Sequence, residues 1–396
     1  MPKISHIILS WARETAGLDV EIAAKKLQIT DGKVVSSVDK LTAYENGQKE
    51  PSRAMLLKMA KLYRRPLLTF YLDEPPKIGD RGEDFRILPE ESFAGREAFY
   101  IDALIREVRA CQSTVREALI DEDEDPRLGF VGKNSVAQGI STVAQTIRQA
   151  LSFDILAYRA SASYEEAFKY LRVQAEDVGV FVLLRGNLGS FHTNIGVTAF
   201  RGFALSDDIA PFIVINDQDA KAAWSFTLLH ELAHIILGQT GISGAYAERQ
   251  IEKFCNDVAS EVLLPEADFE SFRLSGATPE TIQEEISQFA FSMKISSSHV
   301  SYRLFRRGDI KKDFWEKLRE YFKEQWHAQR DEEKQKSRQQ EGGPSYYVLQ
   351  RHKLGALVGL VERLTYSGAL TTAKAGMLLG VRPIKVHNLF NTGQAA

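Results

Sequence analysis

The segment WSFTLLHELAHIILG (224–238) contains the residues best suited to chemistry, since His230 and His234 stand four positions apart. On a helix, side chains four residues apart lie one above the other on the same face. Two imidazoles in that arrangement can bind one metal ion, with nitrogen about 2.0–2.1 Å from zinc. Glu231 lies about 100° further round the helix, too far to ligate readily but close enough to take a proton from water.

The five-residue pattern His-Glu-x-x-His (230–234) also arises by chance. In that case both histidines are ordinary helix residues with hydrogen-bond partners. The residues around it favour a metal centre, because the helix is otherwise apolar and is therefore predicted to be buried. Its apolar members are Phe226, Leu228, Leu229, Leu232, Ile235, Ile236 and Leu237. Burial of a charged group without a partner costs on the order of several kcal/mol, and a metal ion would supply that partner.

A catalytic zinc site needs a third protein ligand and one open position. The helix predicted at about 247–264 offers four acidic candidates, Glu248, Glu252, Asp257 and Glu261. Glu252 follows His234 by 18 residues, enough for a turn and an antiparallel return. Asn256 shares the predicted face of Glu252 and could steady its carboxylate. Cys255 could also ligate, although a small buried residue is the favoured interpretation.

These segments resemble the ImmA/IrrE metallopeptidases. The resemblance rests on FTLLHELAHIILG, IEKFCNDVASEVLLP and the preceding GFALSDDIAPFIVINDQDAKAAW, and KISSSHVSYRLFRRGDI is similar to the closing helix of that family. It implies a zincin-like fold in which His230, His234 and Glu252 bind zinc (Zn2+) and Glu231 is the base that activates water. It also implies regulated cleavage of a repressor-like or antitoxin-like protein. Cys255 stands where the family often has alanine, and both are small.

Residues 1–75 are predicted to form an all-α domain, and LTAYENGQKEP before a helix resembles XRE-type helix-turn-helix domains. The third predicted helix, around 37–44, would then enter the major groove of DNA. Its candidate contacts are Ser36, Ser37, Lys40 and Thr42, with Lys33 and Lys49 directed toward phosphates. This region has 12 Lys and Arg against 9 Asp and Glu, a net charge of only +3. Binding of a protein partner or dimerisation therefore stays open as an alternative to DNA binding.

The pattern along the chain predicts a helix-rich α+β protein with a helix-turn-helix domain, a zincin-like core and a helical C-terminal region. The predicted units are 1–75, a linker and helical region at 76–135, the metallopeptidase domain at 136–310, and a charged helix with a small helical domain at 311–396. Strands are predicted at 178–186, 195–205 and 210–216, and a long helix at 93–120. Residues 371–390 are predicted to form two helices around Gly380, and a plain αα-hairpin is favoured over a second helix-turn-helix.

Composition excludes several classes of protein. With 44% hydrophobic and 26% charged residues, the chain is neither disordered nor fibrous. Two cysteines cannot form a disulfide framework, and no apolar stretch approaches the roughly 20 residues that span a bilayer. The apolar run near the N-terminus is too short for a signal peptide. A cytoplasmic protein without membrane contact is therefore expected.

A zinc-dependent endopeptidase is the favoured function. The alternative is a DNA-binding regulator or sensor whose zincin-like body binds metal without cleaving, although Glu231 would be dispensable for metal binding alone. The strand at 211–215 could pair with an extended substrate if it lies at a sheet edge. His299 is a candidate donor to the transition state, and His192 is a weaker one.

Overall fold

The computed structural model describes residues 3–32, 34–76, 85–87, 96–123, 127–238, 245–276, 278–339 and 345–391. Within these ranges no helix is both long and apolar enough to cross a membrane. The elements are helix-rich with one small sheet, in agreement with the predicted α+β class. The domain boundaries expected from the sequence remain predictions. The hydrophobic clusters described below show which elements pack around a common core.

The N-terminal helices pack around a core of their own. They are α1 (His6–Thr15), α2 (Val20–Lys26), α3 (Ser37–Glu45) and α4 (Arg53–Leu62), followed by a 3₁₀ turn at Leu67–Tyr71. The apolar faces of α1, α3 and α4 bury Ile8, Leu41 and Met59 completely. Ten residues (27–36) separate α2 from α3, more than the three or four that join the helices of a helix-turn-helix.

A single mixed sheet follows, with strands β1 (Phe85–Ile87), β2 (Phe181–Leu184), β3 (Phe200–Leu205) and β4 (Phe212–Ile215). Their order is β1-β3-β4-β2, and β4 runs antiparallel to β3 and parallel to β2. The hypothesis that the strand at 211–215 is a free edge for substrate is therefore wrong, because β4 is hydrogen-bonded on both sides. Residues 195–199, predicted as strand, precede β3 instead, and β1 was not predicted.

The remaining helices surround the sheet. They are α5 (Arg96–Asp121), α6 (Ile140–Ala150), α7 (Ile155–Arg159), α8 (Tyr164–Asp177), α9 (Lys221–Leu237), α10 (Ala245–Leu263), α11 (Glu266–Glu270), α12 (Pro279–Met293), α13 (Ser297–Arg307), α14 (Lys312–Gln339), α15 (Tyr346–Leu354), α16 (Ala356–Tyr366), α17 (Thr372–Leu378) and α18 (Val386–Asn391). The charged helix expected after residue 311 is α14, and the long helix expected at 93–120 is α5.

Both faces of the sheet are buried. Alternate strand residues such as Val182 and Ile213 face one cluster with α6, α8, α9 and α10. Their neighbours Leu183 and Phe212 face a second cluster with α5 and the C-terminal helices α15–α18. Because side chains alternate along a strand, two buried faces require the continuous apolar runs FVLL and FIVI.

The buried guanidinium of Arg172 on α8 connects the C-terminal helices to the sheet by hydrogen bonds. It donates to the carbonyl of His352 at 2.6 Å and to the carbonyl of Val182 on β2. An ion pair with Glu176, 2.9 Å away, balances its charge. A buried cation needs such partners, so this cluster fixes α15 against the sheet.

Candidate metal centre

Helix α9 carries the HELAH motif, and its C-terminal end is fixed by a neighbouring loop. The carbonyls of Ile235 and Ile236 accept hydrogen bonds from the backbone of Gly132 and Asn134, each at 3.1 Å. Gly238 ends the helix with a positive φ of 58°, and a Cβ there would lie 2.5 Å from Cα of Gly132. Only glycine fits this position, both for its backbone angle and for its space.

Three side chains from α9 and α10 converge at one point. The Nε2 atoms of His230 and His234 lie 3.1 Å apart. Oxygen Oε2 of Glu252 lies 3.3 Å from Nε2 of His230, and Oε1 lies 3.1 Å from Nε2 of His234. Both histidines are buried, whereas the Glu252 side chain is 26% exposed. The cluster is therefore built inside the protein but keeps one side toward solvent.

The geometry of these donors fits a zinc ion. Tetrahedral ligands about 2.0–2.1 Å from zinc stand about 3.3 Å from one another, close to the observed separations. Two imidazoles and a carboxylate are also a donor set that zinc accepts, and three protein ligands leave a fourth position free. Among the described residues, this is the one group of three metal-ligating side chains whose donor atoms lie this close together.

The carboxylate of Glu252 is held as an anion. Burial raises the pKa of this carboxyl, but hydrogen bonds and charges from His230 and His234 lower it by more. The net effect is a pKa well below the ordinary value. An ionised carboxylate is the form in which glutamate binds a metal.

Glu231 packs against β3. A Cβ added to Gly202 of that strand would lie 3.0 Å from Oε1 of Glu231 and 2.5 Å from Cγ2 of Thr227. Because Gly202 has no side chain, α9 and the Glu231 carboxylate can pack closely against the sheet. Sequence reasoning missed this role, although a lone glycine inside a predicted strand often marks a close approach.

The structure separates the candidates on α10. Cys255 is fully buried beside His234, and burial raises the pKa of its thiol. It is not among the converging donors, and neither are Asp257 and Glu261. Asn256 follows Glu252 by one turn on the same helix, and its supporting role stays a prediction. The side chain of Glu248 lies outside the described residues.

The two other candidate histidines lie in different surroundings. The ring of His299 on α13 lies 5.0 Å from the ring of Phe226, which is one turn before His230, and its Nε2 lies 3.1 Å from Oγ of Ser260 on α10. Burial and the charge of Arg303 lower the pKa of His299 to about 3, so the ring is neutral. His192 is exposed in the 3₁₀ turn Phe191–Thr193 and is not part of the converging group.

Several of the residues predicted to contact DNA form hydrogen bonds within the N-terminal region itself. Ser36 begins α3 by accepting from the backbone N–H of Asp39, while its own N–H donates to the Asp39 carboxylate. The ammonium of Lys40 donates to the carbonyl of Thr30 at 2.6 Å, and the backbone of Ser37 donates to Asp31 at 2.6 Å. These groups stabilise the loop between α2 and α3. Thr42 is half-buried and Lys49 is exposed, whereas Lys33 lies outside the described residues.

The part of the chain that contains the converging donors matches the model of a known protein family. Residues 190–305 match the IrrE N-terminal-like domain, Peptidase_M78. The matched segment includes the HELAH helix, Glu252 and His299, and it supports the ImmA/IrrE resemblance for this part of the chain. It points to a metallopeptidase-like function. Searches of curated proteins and of solved structures gave no significant match.

Proposed function

We propose that this protein is a zinc-dependent endopeptidase that cleaves a regulatory protein. The observation that supports it most is the convergence of His230, His234 and Glu252 within the segment similar to Peptidase_M78. A His-His-Glu set on two neighbouring helices, with a glutamate next to the first histidine, is the arrangement of a hydrolytic zinc centre.

Each residue has a distinct task in this proposal. His230, His234 and Glu252 would hold a zinc ion, which would supply a Lewis acid and make the attacking water easier to deprotonate. Glu231 takes the proton from the attacking water and returns it to the departing amine. The packing of Glu231 against Gly202 fixes the position of the carboxylate, and Glu231 is not among the converging donors.

The N-terminal helices are proposed to bring the enzyme to its target. The repressor-like or antitoxin-like substrate rests on the family resemblance, and recruitment through residues 1–75 would join DNA or a partner protein to the peptidase. Lys40 and Ser36 already bond to their own loop, so α3 offers few cations to phosphates. This observation favours a protein partner for these helices.

One comparison of purified variants tests the enzymatic proposal. Wild type, Glu231→Gln and the matched control Glu261→Gln are loaded with zinc, and bound metal is measured by elemental analysis. Each is then incubated with unfolded casein and with the repressor-like protein encoded nearest to it. We expect equal zinc in all three, with cleavage by Glu231→Gln reduced by about 10²–10⁴.

The other outcomes assign the function differently. Zinc in the wild type without cleavage of either protein would favour the regulator or sensor that binds metal without hydrolysis. Absence of zinc from the wild type would exclude the metal centre itself. Equal cleavage by wild type and Glu231→Gln would remove Glu231 as the base.

A further inference from the structure

The C-terminal helices carry a charge opposite to that of the chain. The whole chain has a net charge of −3, yet residues 345–391 contain six Lys and Arg against one acidic residue, Glu362. Two of the six are engaged elsewhere, since Lys353 pairs with Asp217 at 2.6 Å and Arg351 approaches Glu362 at 3.9 Å. Three others, Lys374, Arg382 and Lys385, are exposed on α17 and at the start of the helix that follows it.

The connection between these two helices has the length of a helix-turn-helix. Helix α17 ends at Leu378, and a 3₁₀ turn at Pro383–Lys385 leads directly into α18. The four intervening residues include Gly380, whose φ of 64° suits glycine. Helix-turn-helix motifs use turns of three or four residues that often contain glycine. The ten residues between α2 and α3 fit that description less well.

The second helix contacts α17 at its start and α15 at its end. A Cβ on Gly376 of α17 would lie 2.8 Å from the carbonyl of Val381 and 3.1 Å from N of Pro383, so the start of the second helix touches α17. The end of the second helix packs on α15, where Arg351 donates to the carbonyls of Leu389 and Phe390. The sequence favoured a plain αα-hairpin here, and the hairpin stays the alternative to a helix-turn-helix.

The third helix that such a motif needs is α16. The ring of Tyr366 at its end lies 5.8 Å from Phe390, and the backbone of Leu370 donates to the carbonyl of Leu364. The inner sides of α17 and α18 bury Ala375 and Val386 completely. The outer side exposes side chains of types that contact DNA, namely Lys374, Arg382, Ile384, Lys385, His387 and Asn388. Lysine and arginine contact phosphates and guanine, asparagine contacts adenine, and isoleucine can contact the thymine methyl.

We propose that α16–α18 form a DNA-binding helix-turn-helix in which the helix from Pro383 to Asn391 lies in the major groove of duplex DNA. The proposal goes beyond the peptidase function and does not depend on metal. Duplex DNA is the favoured partner because the exposed face is basic although the whole chain has a net charge of −3, and a basic face suits phosphate binding. It also gives the protein a DNA site separate from residues 1–75.

The test uses full-length protein and a fluorescently labelled 30-base-pair duplex pool of random sequence, followed by anisotropy between 50 and 200 mM salt. The triple variant Lys374→Ala, Arg382→Ala, Lys385→Ala should bind at least roughly tenfold more weakly at 100 mM salt. The dependence of log affinity on log salt should also fall by about 0.9 per removed cation, about 2.7 in all. The control Lys312→Ala, Lys317→Ala, Lys323→Ala removes the same charge from the exposed side of α14 and should bind like the wild type.

A second pair of variants separates phosphate contact from base contact. The charge-conserving triple Lys374→Arg, Arg382→Lys, Lys385→Arg should keep the wild-type salt dependence. Asn388→Ala should change which sequences are enriched from the random pool while leaving the salt dependence nearly unchanged.

Three results would overturn the proposal. One is a wild type that does not bind the duplex pool even at 50 mM salt, as expected if this face binds a protein. Another is unchanged DNA binding by the α17–α18 triple variant together with loss of binding by Ser37→Ala, Thr42→Ala, which would place the DNA site in residues 1–75. The last is equal weakening by the α14 control, which would reduce the effect to overall charge.

Discussion

Glu231 and Gly202 are packed so closely that a Cβ on the glycine would lie 3.0 Å from Oε1 of the glutamate. The same Cβ would meet Cγ2 of Thr227 at 2.5 Å and the carbonyl of Val214 at 3.1 Å. The packing of α9 on β3, two elements distant in sequence, therefore determines the position of the proposed base. Glu252 on α10 completes the group of metal donors, so the position of the base depends on β3 and the binding of metal depends on α10.

Gly202→Ala should separate these two properties. The added methyl group overpacks the contact between α9 and β3, and we expect a loss of about 1–3 kcal/mol in the free energy of unfolding. Peptidase activity should fall because Glu231 or Thr227 must move, while bound zinc should stay at the wild-type level. Urea denaturation, elemental analysis and casein cleavage measure the three effects.

Gly359→Ala is the matched control for that change. Gly359 lies in α16, and nothing lies within 4 Å of an added Cβ there. This variant should be unchanged or slightly more stable, because alanine favours helix over glycine. Loss of zinc from Gly202→Ala would show that the sheet also positions the ligands.

Cys255→Ala tests whether the buried thiol ligates or only packs. Since the thiol lies beside His234 but outside the converging donors, we expect zinc content and cleavage close to the wild type. The unfolding free energy should fall modestly, because a small buried side chain loses one atom. A drop of zinc to below half the wild-type content would instead make Cys255 a ligand.

Removal of metal should destabilise the protein only when Glu252 is intact. A ligand that binds the native state alone stabilises it by mass action, so EDTA should lower the melting temperature of the wild type. Glu252→Gln should already have low zinc content and show little further shift with EDTA. Glu261→Gln, on the same helix, should respond to EDTA like the wild type, and the same response from Glu252→Gln would exclude Glu252 as a ligand.

His299 should make the metal-free protein less stable as pH falls. The pKa of its ring is about 3 in the folded state against an ordinary value of 6.5. Arg303 donates to Oγ of Ser260 at 2.7 Å, which leaves the hydroxyl proton for Nε2 of a neutral His299. Between pH 6.5 and about 3 the unfolded chain therefore binds a proton that the folded chain does not.

The expected effect is a loss of up to about 1.4 kcal/mol in unfolding free energy per pH unit below 6.5. Urea denaturation with EDTA at several pH values measures it, and His299→Gln should reduce the slope by up to one proton. His192→Gln, at an exposed histidine, is the matched substitution for comparison. A slope that is the same in His299→Gln and the wild type would show that the ring titrates normally.

Local pattern was sufficient for the elements that carry the site. The four-residue spacing of His230 and His234 requires them to share one face of a helix, and Gly238 marks where that helix ends. Apolar periodicity predicted α5, α9 and α10 closely, because these helices are long and amphipathic or fully buried, and a highly charged helical pattern predicted α14. The similarity of the 251–265 segment to ImmA/IrrE proteins selected Glu252 among four acidic residues, which spacing alone left open.

Tertiary structure decided the rest, because it depends on contacts between residues far apart in the chain. Strand β4 has the same apolar sequence whether it lies at an edge or in the centre, and only its pairing with β2 and β3 places it inside the sheet. The role of Gly202 exists only because α9 packs across β3. In the same way, α18 packs on α15 through Arg351 and the carbonyls of Leu389 and Phe390, and the periodicity of two short helices does not predict that contact.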